Sequence, residues 1–274
     1  MDTAAYRKAN YLVGNEEGAA VLEMTLYGGS CRFEEDTVIA LTGADMQPTV
    51  NQKPIAMNQA VKVPAGGVLN LGMAKTGCRT YLAVAGGFEV PKVMGSYSTN
   101  LKCGIGGHEG RALQMGDELP IGEALHSWDE VKDRKVSVPD YPKEVLVSVV
   151  PGPQEEYFTE AGIHHFYSES YEVTESCDRM GYRLEGPEVE SKNGTDIVSD
   201  GIVFGSIQIP SSGKPIILMA DHQTTGGYAK IGTVTQADLP KVAQCKPGDR
   251  IRFRKVSVEE AQEISRKERK KECF

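Results

Sequence analysis

Much of this chain consists of apolar-rich stretches of strand length broken by polar clusters. Short runs of that kind fall at residues 21–27, 38–42, 60–63, 79–85, 145–150, 170–174, 202–209 and 215–220. Clusters of Gly, Pro, Asn and Asp separate them, which predicts many short strands joined by tight turns, as in barrels and sandwiches. Three segments follow a helical period instead. Residues 2–13 place Ala5, Ala9, Leu12 and Val13 on one face and meet a stop at Gly14. Residues 153–162 open with a proline and acids, which suit a helix N-terminus. Residues 257–272 begin with Ser257 and Glu260 at capping-box spacing and end in Arg266, Lys267, Arg269, Lys270 and Lys271, which complement the C-terminal dipole. The charged stretch 123–142, which holds the single tryptophan, reads as a linker.

A weak internal repeat lies on either side of that linker. Gly77 and the strand ending at Ala85, then Gly95 to Thr99, then Gly116-Asp117, correspond to Gly213 and the strand ending at Ala220, then Gly232 to Thr235, then Gly248-Asp249. The near-constant offset argues for two similar β-rich halves related by duplication.

Composition fits this picture. The 274 residues are enough for two domains, and 30 glycines with 14 prolines favour turns over a helical bundle. Half of the glycines fall in residues 86–122 and 201–232, the loops that correspond in the two halves. A net charge of −8 makes the chain a poor binder of nucleic acid. No apolar run has the length of a membrane span, and the start of the chain has no secretory pattern. The cysteines Cys31, Cys78, Cys103, Cys177, Cys245 and Cys273 lack CxxC spacing, so zinc-ribbon and thioredoxin readings fail and free thiols in a cytoplasmic protein are expected.

Three stretches carry candidate chemistry. Asp221-His222-Gln223-Thr224-Thr225-Gly226-Gly227-Tyr228 follows an apolar strand. Asp221 or His222 can move a proton, Gln223, Thr224, Thr225 and Tyr228 can hold a carboxylate or amide, and the glycines allow close backbone approach. The glycine-rich stretch 95–111 offers Ser96, Thr99, His108, Glu109 and Arg111, with backbone amides that can form an anion nest beside Lys102 and Arg111. It is neither a Walker loop nor GxGxxG, and Ala112 stands where HExxH needs its second histidine. In Asp178-Arg179-Met180-Gly181-Tyr182-Arg183-Leu184, strand alternation sets Arg179 and Arg183 on one face, where two guanidinium forks can clamp a carboxylate or phosphate. His164 and His165 read as surface residues beside a helix end. No metal site is expected.

These stretches resemble one family. Met1-Asp2, Leu12 to Asn15, Ala85-Gly86-Gly87, Met94-Gly95-Ser96, the 104–111 run, Gly116-Asp117, residues 178–184, residues 220–228 and Lys230 to Val234 together are similar to the KipA / 5-oxoprolinase C-subunit family, also described as allophanate hydrolase subunit 2-like or biotin-dependent carboxyltransferase-like. The resemblance covers residues 1–254. It implies a mainly β fold of two tandem cyclophilin-like β-barrels with a few short helices: a first barrel over 1–125, a second over 143–256, and a charged helix over 257–274. Relatives usually begin about two dozen residues earlier, so the first barrel is expected to lack a strand.

The resemblance also implies a function. The chain would be one component of an ATP-dependent 5-oxoprolinase, inactive alone, that turns 5-oxo-L-proline into L-glutamate with a KipI-like B subunit and with a LamB/YcsF-like A subunit. ATP with Mg²⁺ would be shared with the B subunit or bound by it. Arg179 and Arg183 would meet phosphate or the substrate carboxylate, and the 221–228 loop would orient the lactam. The family leaves two alternatives: a urea amidolyase-like carboxyltransferase domain using biotin from a separate carrier, or a KipA-like regulator that binds a kinase inhibitor of the KipI type.

Overall fold

The computed structural model describes residues 1–271; Cys273 and the last residue of the expected C-terminal helix, Glu272, lie outside them. The chain is mainly β with a few short helices, and it divides into two compact units, one from Thr3 to Asp140 and one comprising Met1, Asp2 and the chain from Tyr141 onward.

In the first unit, helix Thr3–Val13 buries the predicted face, Ala5, Ala9, Leu12 and Val13, and ends at Gly14 with φ +77°. That face packs on Tyr81 and Ala83 of strand Thr76–Val84. The alternate residues of the same strand, Leu82 and Val84, join a second core with Ile39, Leu41 and Leu69. Strands Thr37–Asp45 and Thr76–Val84 are therefore covered on both faces, and nearly every residue along them is buried, Thr42, Arg79 and Thr80 included. They form one four-stranded sheet, in the order Leu22–Thr25, Thr76–Val84, Thr37–Asp45, Ala60–Val63. Ser30–Arg32, Val68–Asn70, Thr49–Val50 and Lys53–Pro54 form another. The expected linker is a packed part of this unit. Its short helix Trp128–Val131 buries Val131, and Trp128 and Val136 lie against the same core as the first helix.

The second unit closes as a seven-stranded barrel, in the order Ser170–Cys177, Gly181–Glu185, Ile216–Leu218, Ser206–Gln208, Lys230–Val234, Glu144–Pro151, Arg250–Lys255. Closure comes from the parallel pairing of Glu144–Pro151 with Arg250–Lys255 and the antiparallel pairing of Arg250–Lys255 with Ser170–Cys177. The interior holds Val145, Val147, Val149, Tyr171, Tyr182, Leu184, Ile217, Ile251 and Phe253. Phe166 stacks on Phe253 with ring centroids 4.4 Å apart. Met1 joins this core, and buried Asp2 accepts a hydrogen bond from Gln244 Nε2 at 2.8 Å. Burial, then the charge of Asp2, pushes the Tyr141 hydroxyl well above the usual tyrosine range.

Several expectations shift in detail. Residues 153–162 are not one helix. A 3₁₀ turn, Glu155–Tyr157, precedes helix Glu160–Ser168, because Thr159 accepts the Gly162 amide through Oγ1 and resets the N-terminus. His164 and His165 sit within that helix, both exposed. The expected strand 202–209 is shorter, Ser206–Gln208, with a turn before it, and a strand the sequence did not predict, Asp196–Gly201, precedes that turn. The C-terminal helix Val258–Lys271 carries the capping box as read: the Ser257 amide donates to Glu260 at 2.7 Å and the Glu260 amide to Ser257 Oγ at 3.2 Å. Among the described residues the cysteines form no disulfide.

Candidate functional site

Arg179 is not on a strand. Asp178 Oδ1 accepts the amides of Met180 and Gly181, which folds residues 178–180 into an Asx turn between strands Ser170–Cys177 and Gly181–Glu185. Arg183 projects outward from the second of these strands and is exposed, so alternation does not pair it with Arg179.

The turn carries Arg179 to Asp221, just beyond strand Ile216–Leu218. Arg179 Nε donates to Asp221 Oδ2 at 2.9 Å and Nη2 donates to Oδ1 at 3.1 Å. The Asp221 amide donates to the Arg179 carbonyl at 2.7 Å, and the Met219 amide to the Met180 carbonyl at 2.9 Å. Backbone and fork together clamp the turn to the strand end. Both side chains are mostly buried, 26% and 18% exposed, so each charge depends on the other.

From this clamp the chain presents His222, Gln223, Thr224 and Thr225. The His222 amide donates to Met219, and its Nδ1 lies 2.7 Å from the Gln223 carbonyl. A carbonyl can only accept, so Nδ1 carries a proton, and the neutral tautomer with this bond has its lone pair on Nε2. That is the form a proton acceptor needs. Gln223, Thr224, Thr225 and Tyr228 are exposed.

The loop's second half is a strand. Thr225–Tyr228 pairs with Asp196–Gly201 as a two-stranded ribbon, with Gly226 opposite Asp200 and Thr225 opposite Gly201. Gly226 is closely packed: a Cβ there would stand 2.5 Å from Ile202 Cδ1 and 2.7 Å from Gln208 Nε2, so those side-chain ends would have to shift. Buried Gln208 also donates to the Tyr228 carbonyl at 3.4 Å. Lys230, with a side chain 6% exposed, donates through Nζ to Asp200 Oδ2 at 2.5 Å and to the Gly201 carbonyl at 2.9 Å. Its amide donates to Gln154 Oε1, and hydrogen bonds from Lys230, the Gly201 amide and Gln154 hold the Asp200 carboxyl below its usual range. Sequence reasoning singled out neither Lys230 nor Gln208 as a site residue. The available signal was a lysine between Ala229 and Ile231 at the start of an apolar strand.

In the first unit the glycine-rich stretch folds on itself. Arg111 makes a fork with Asp117 (Nη1–Oδ2 2.7 Å, Nη2–Oδ1 2.9 Å), and its Nε bonds Glu109 at 3.0 Å. His108 Nε2 lies 3.7 Å from Asp117 Oδ1. The Arg111 fork and the Gln114 amide hold the Asp117 carboxyl far below the usual carboxylate range. Thr99 Oγ1 fills the space a side chain would need at Gly107, and Ser96 Oγ accepts the Ser98 amide. Arg111 is thus bound to carboxylates, which removes one of the two cations, Lys102 and Arg111, that an anion nest here would use. Ser96, Thr99, His108, Glu109 and Arg111 shape this loop in the first unit, whereas Arg179, Asp221, His222, Gln223, Thr224, Thr225 and Tyr228 gather in the second. Among the described residues no group of three or more His, Cys, Asp or Glu is placed to hold a metal ion, and no helix is long and apolar enough to cross a membrane.

Residues 1–255 match the family model of the carboxyltransferase domain, subdomains A and B. The chain is 38% identical to the 5-oxoprolinase C subunit of Haemophilus influenzae over 97% of its length and 85% of that protein. It is 40% identical to the 5-oxoprolinase C subunit of Escherichia coli over 95% of its length and 83% of that protein. Its fold superposes on the crystal structure of Kluyveromyces lactis urea carboxylase with a TM-score of 0.88 and 30% identity. The match covers all of this chain and 26% of that much longer one. The chain therefore belongs to the carboxyltransferase domain family, subdomains A and B, with the 5-oxoprolinase C subunits among its relatives.

Proposed function

We propose that this chain is the C subunit of an ATP-dependent 5-oxoprolinase. Together with a KipI-like B subunit and with a LamB/YcsF-like A subunit, it converts 5-oxo-L-proline, ATP and water to L-glutamate, ADP and phosphate. The observation that carries the reading is the strand end of the second unit. There an imidazole with an open Nε2 stands on a clamped base beside an exposed amide and two hydroxyls. Similarity to two 5-oxoprolinase C subunits over nearly the whole chain supports it.

A lactam is resonance-stabilised, so its opening needs activation. Phosphorylating the lactam carbonyl oxygen makes the carbon electrophilic and leaves an activated phosphate ester on it. Water then adds to that carbon, and His222 Nε2 takes the proton released. The protonated His222 returns that proton to the ring nitrogen as the C–N bond breaks and the amine of glutamate leaves, and a second water hydrolyses the remaining γ-glutamyl phosphate to glutamate and phosphate. Gln223, Thr224, Thr225 and Tyr228 hold the lactam and its carboxylate, and the Arg179–Asp221 clamp fixes the loop that carries them. In the 95–111 stretch the arginine is held by Asp117 and Glu109, which disfavours a triphosphate there. Phosphoryl transfer is accordingly assigned to a nucleotide on the B subunit, and no step of it to this chain.

The test is oxoproline-dependent ATPase of the co-purified three-subunit mixture, with each subunit omitted in turn. His222→Ala is expected to lower kcat about 10²–10⁴-fold. Activity that survives both Asp221→Ala and Arg179→Ala would rule out the clamp's role. The likeness to urea carboxylase favours a second reading, a carboxyltransferase acting on carboxybiotin. That reading predicts decarboxylation of carboxybiotin with no need for oxoproline.

A further inference from the structure

We propose that Lys230 is a positioning residue of this site, locking the 196–201/225–228 ribbon in the register that sets Thr225 and Tyr228 for the substrate. The inference rests on the reading of the 221–228 stretch as the substrate loop. Three observations carry it. The Lys230 ammonium is nearly inaccessible, yet its stem starts on a barrel strand and its head reaches a different element. It bonds two consecutive residues of the ribbon, the Asp200 carboxylate and the Gly201 carbonyl, and these face Gly226 and Thr225 across the ladder. Gln154 bridges the same group from the barrel side, accepting the Lys230 amide and bonding Asp200.

The ribbon needs such a lock. Its ladder slips between Asp196 and Asp200, and its outer strand is largely exposed, with Val198 93% accessible. A two-stranded ribbon is marginal by itself, and a slip by one residue would exchange the faces on which Thr225 and Tyr228 stand. The Lys230 ammonium is costly to leave unpaired, because it is buried, whereas its carboxylate partner is half exposed to solvent. Lys230 thus ties the ribbon to the rigid barrel at the position where the substrate side chains begin.

The test pairs kinetics with hydrogen exchange on Lys230→Met, Lys230→Arg and Asp200→Asn in the full chain. In the reconstituted complex, Lys230→Met is expected to raise the KM for 5-oxoproline about tenfold while kcat changes less than threefold. Asp200→Asn should give a similar rise, the double variant little more than either, and Lys230→Arg partial rescue. In the isolated chain, amides of 196–201 and 225–228 should exchange about tenfold faster in Lys230→Met, with barrel strand Glu144–Pro151 unchanged. Unchanged ribbon exchange overturns the lock, and exchange that rises equally over the barrel reduces Lys230 to a general stabiliser. Faster ribbon exchange with an unchanged KM removes the positioning role. Wild-type complex without oxoproline turnover would defeat the functional reading, while the exchange data still decide the lock.

Discussion

Each unit contains an arginine–aspartate fork, and the two forks have similar lengths but different reach. Arg111 and Asp117 are 6 residues apart and belong to one loop. Arg179 and Asp221 are 42 residues apart and join a hairpin turn to the end of another strand. The first fork shapes its own loop. The second joins barrel elements and fixes the base from which His222 and Gln223 project. The glycines differ in parallel. In the first unit, a Cβ at Gly106 or Gly110 would meet backbone, Ser98 O at 2.2 Å and Gly104 O at 2.1 Å. In the second, a Cβ at Gly226 would meet the ends of side chains. One region is rigid because its backbone is folded against itself; the other is held from outside by side chains, which suits a surface that must fit a ligand.

That contrast can be broken experimentally. Gly110→Ala, strained by its φ of +69° and opposed by backbone, is expected to cost about 3–5 kcal/mol in chemical denaturation. Gly226→Ala, opposed by movable side chains, should cost about 1–2 kcal/mol. Equal losses would erase the distinction. Arg179→Met should cost about 2–4 kcal/mol by stranding Asp221, along with oxoproline-dependent activity, whereas Arg111→Met should leave the barrel's melting unchanged. The smallest effect is a pH dependence. The folded Asp117 carboxyl lies below its unfolded value, so its contribution is full above that value, about 3.9, and is lost as pH falls through the folded pKa. The difference in melting temperature between wild type and Asp117→Asn should be constant from pH 7 to 5 and shrink below about pH 4. A difference that grows on acidification would contradict the fork.

The repeat sharpens the comparison. At Gly116-Asp117 the Asp117 amide donates to the Gln114 carbonyl and the Gln114 amide to the Asp117 carboxylate. At Gly248-Asp249 the same two bonds join Asp249 and Lys246. Both glycines have positive φ, +96° and +88°. The turn is thus reproduced, but the segment after it is not. Arg250–Lys255 enters the barrel and buries Ile251 and Phe253, while after Asp117 there is an isolated bridge between Phe88 and Ile121.

Much of the fold was legible in the sequence because its signals are local. The first helix shows its apolar face and its glycine stop within a dozen residues, and the last helix shows its capping box within four. Apolar-rich runs between turn clusters located Ala60–Val63 to the residue and most others within a few. The site was legible as a list of polar residues around 221–228 but not as an arrangement. The ribbon strand Asp196–Gly201 went unread because its residues are mostly polar and exposed, so alternation had nothing to report. Arg179 was set on a strand because the Asx turn that removes it depends on where the Asp178 side chain points.

The sequence by itself determined the β-rich class, the helix caps and the repeated Gly-Asp turn, because each depends on groups a few residues apart. Tertiary structure alone decided that seven strands close into a barrel and that two four-stranded sheets form in the other unit. It alone turned Arg179 from a clamp for a ligand into a clamp for Asp221, and buried Lys230 against Asp200, 30 residues away. The physical reason is common to all of these. A charge's role is set by the partner that compensates it on burial, and that partner is supplied by the folded chain rather than by neighbouring sequence.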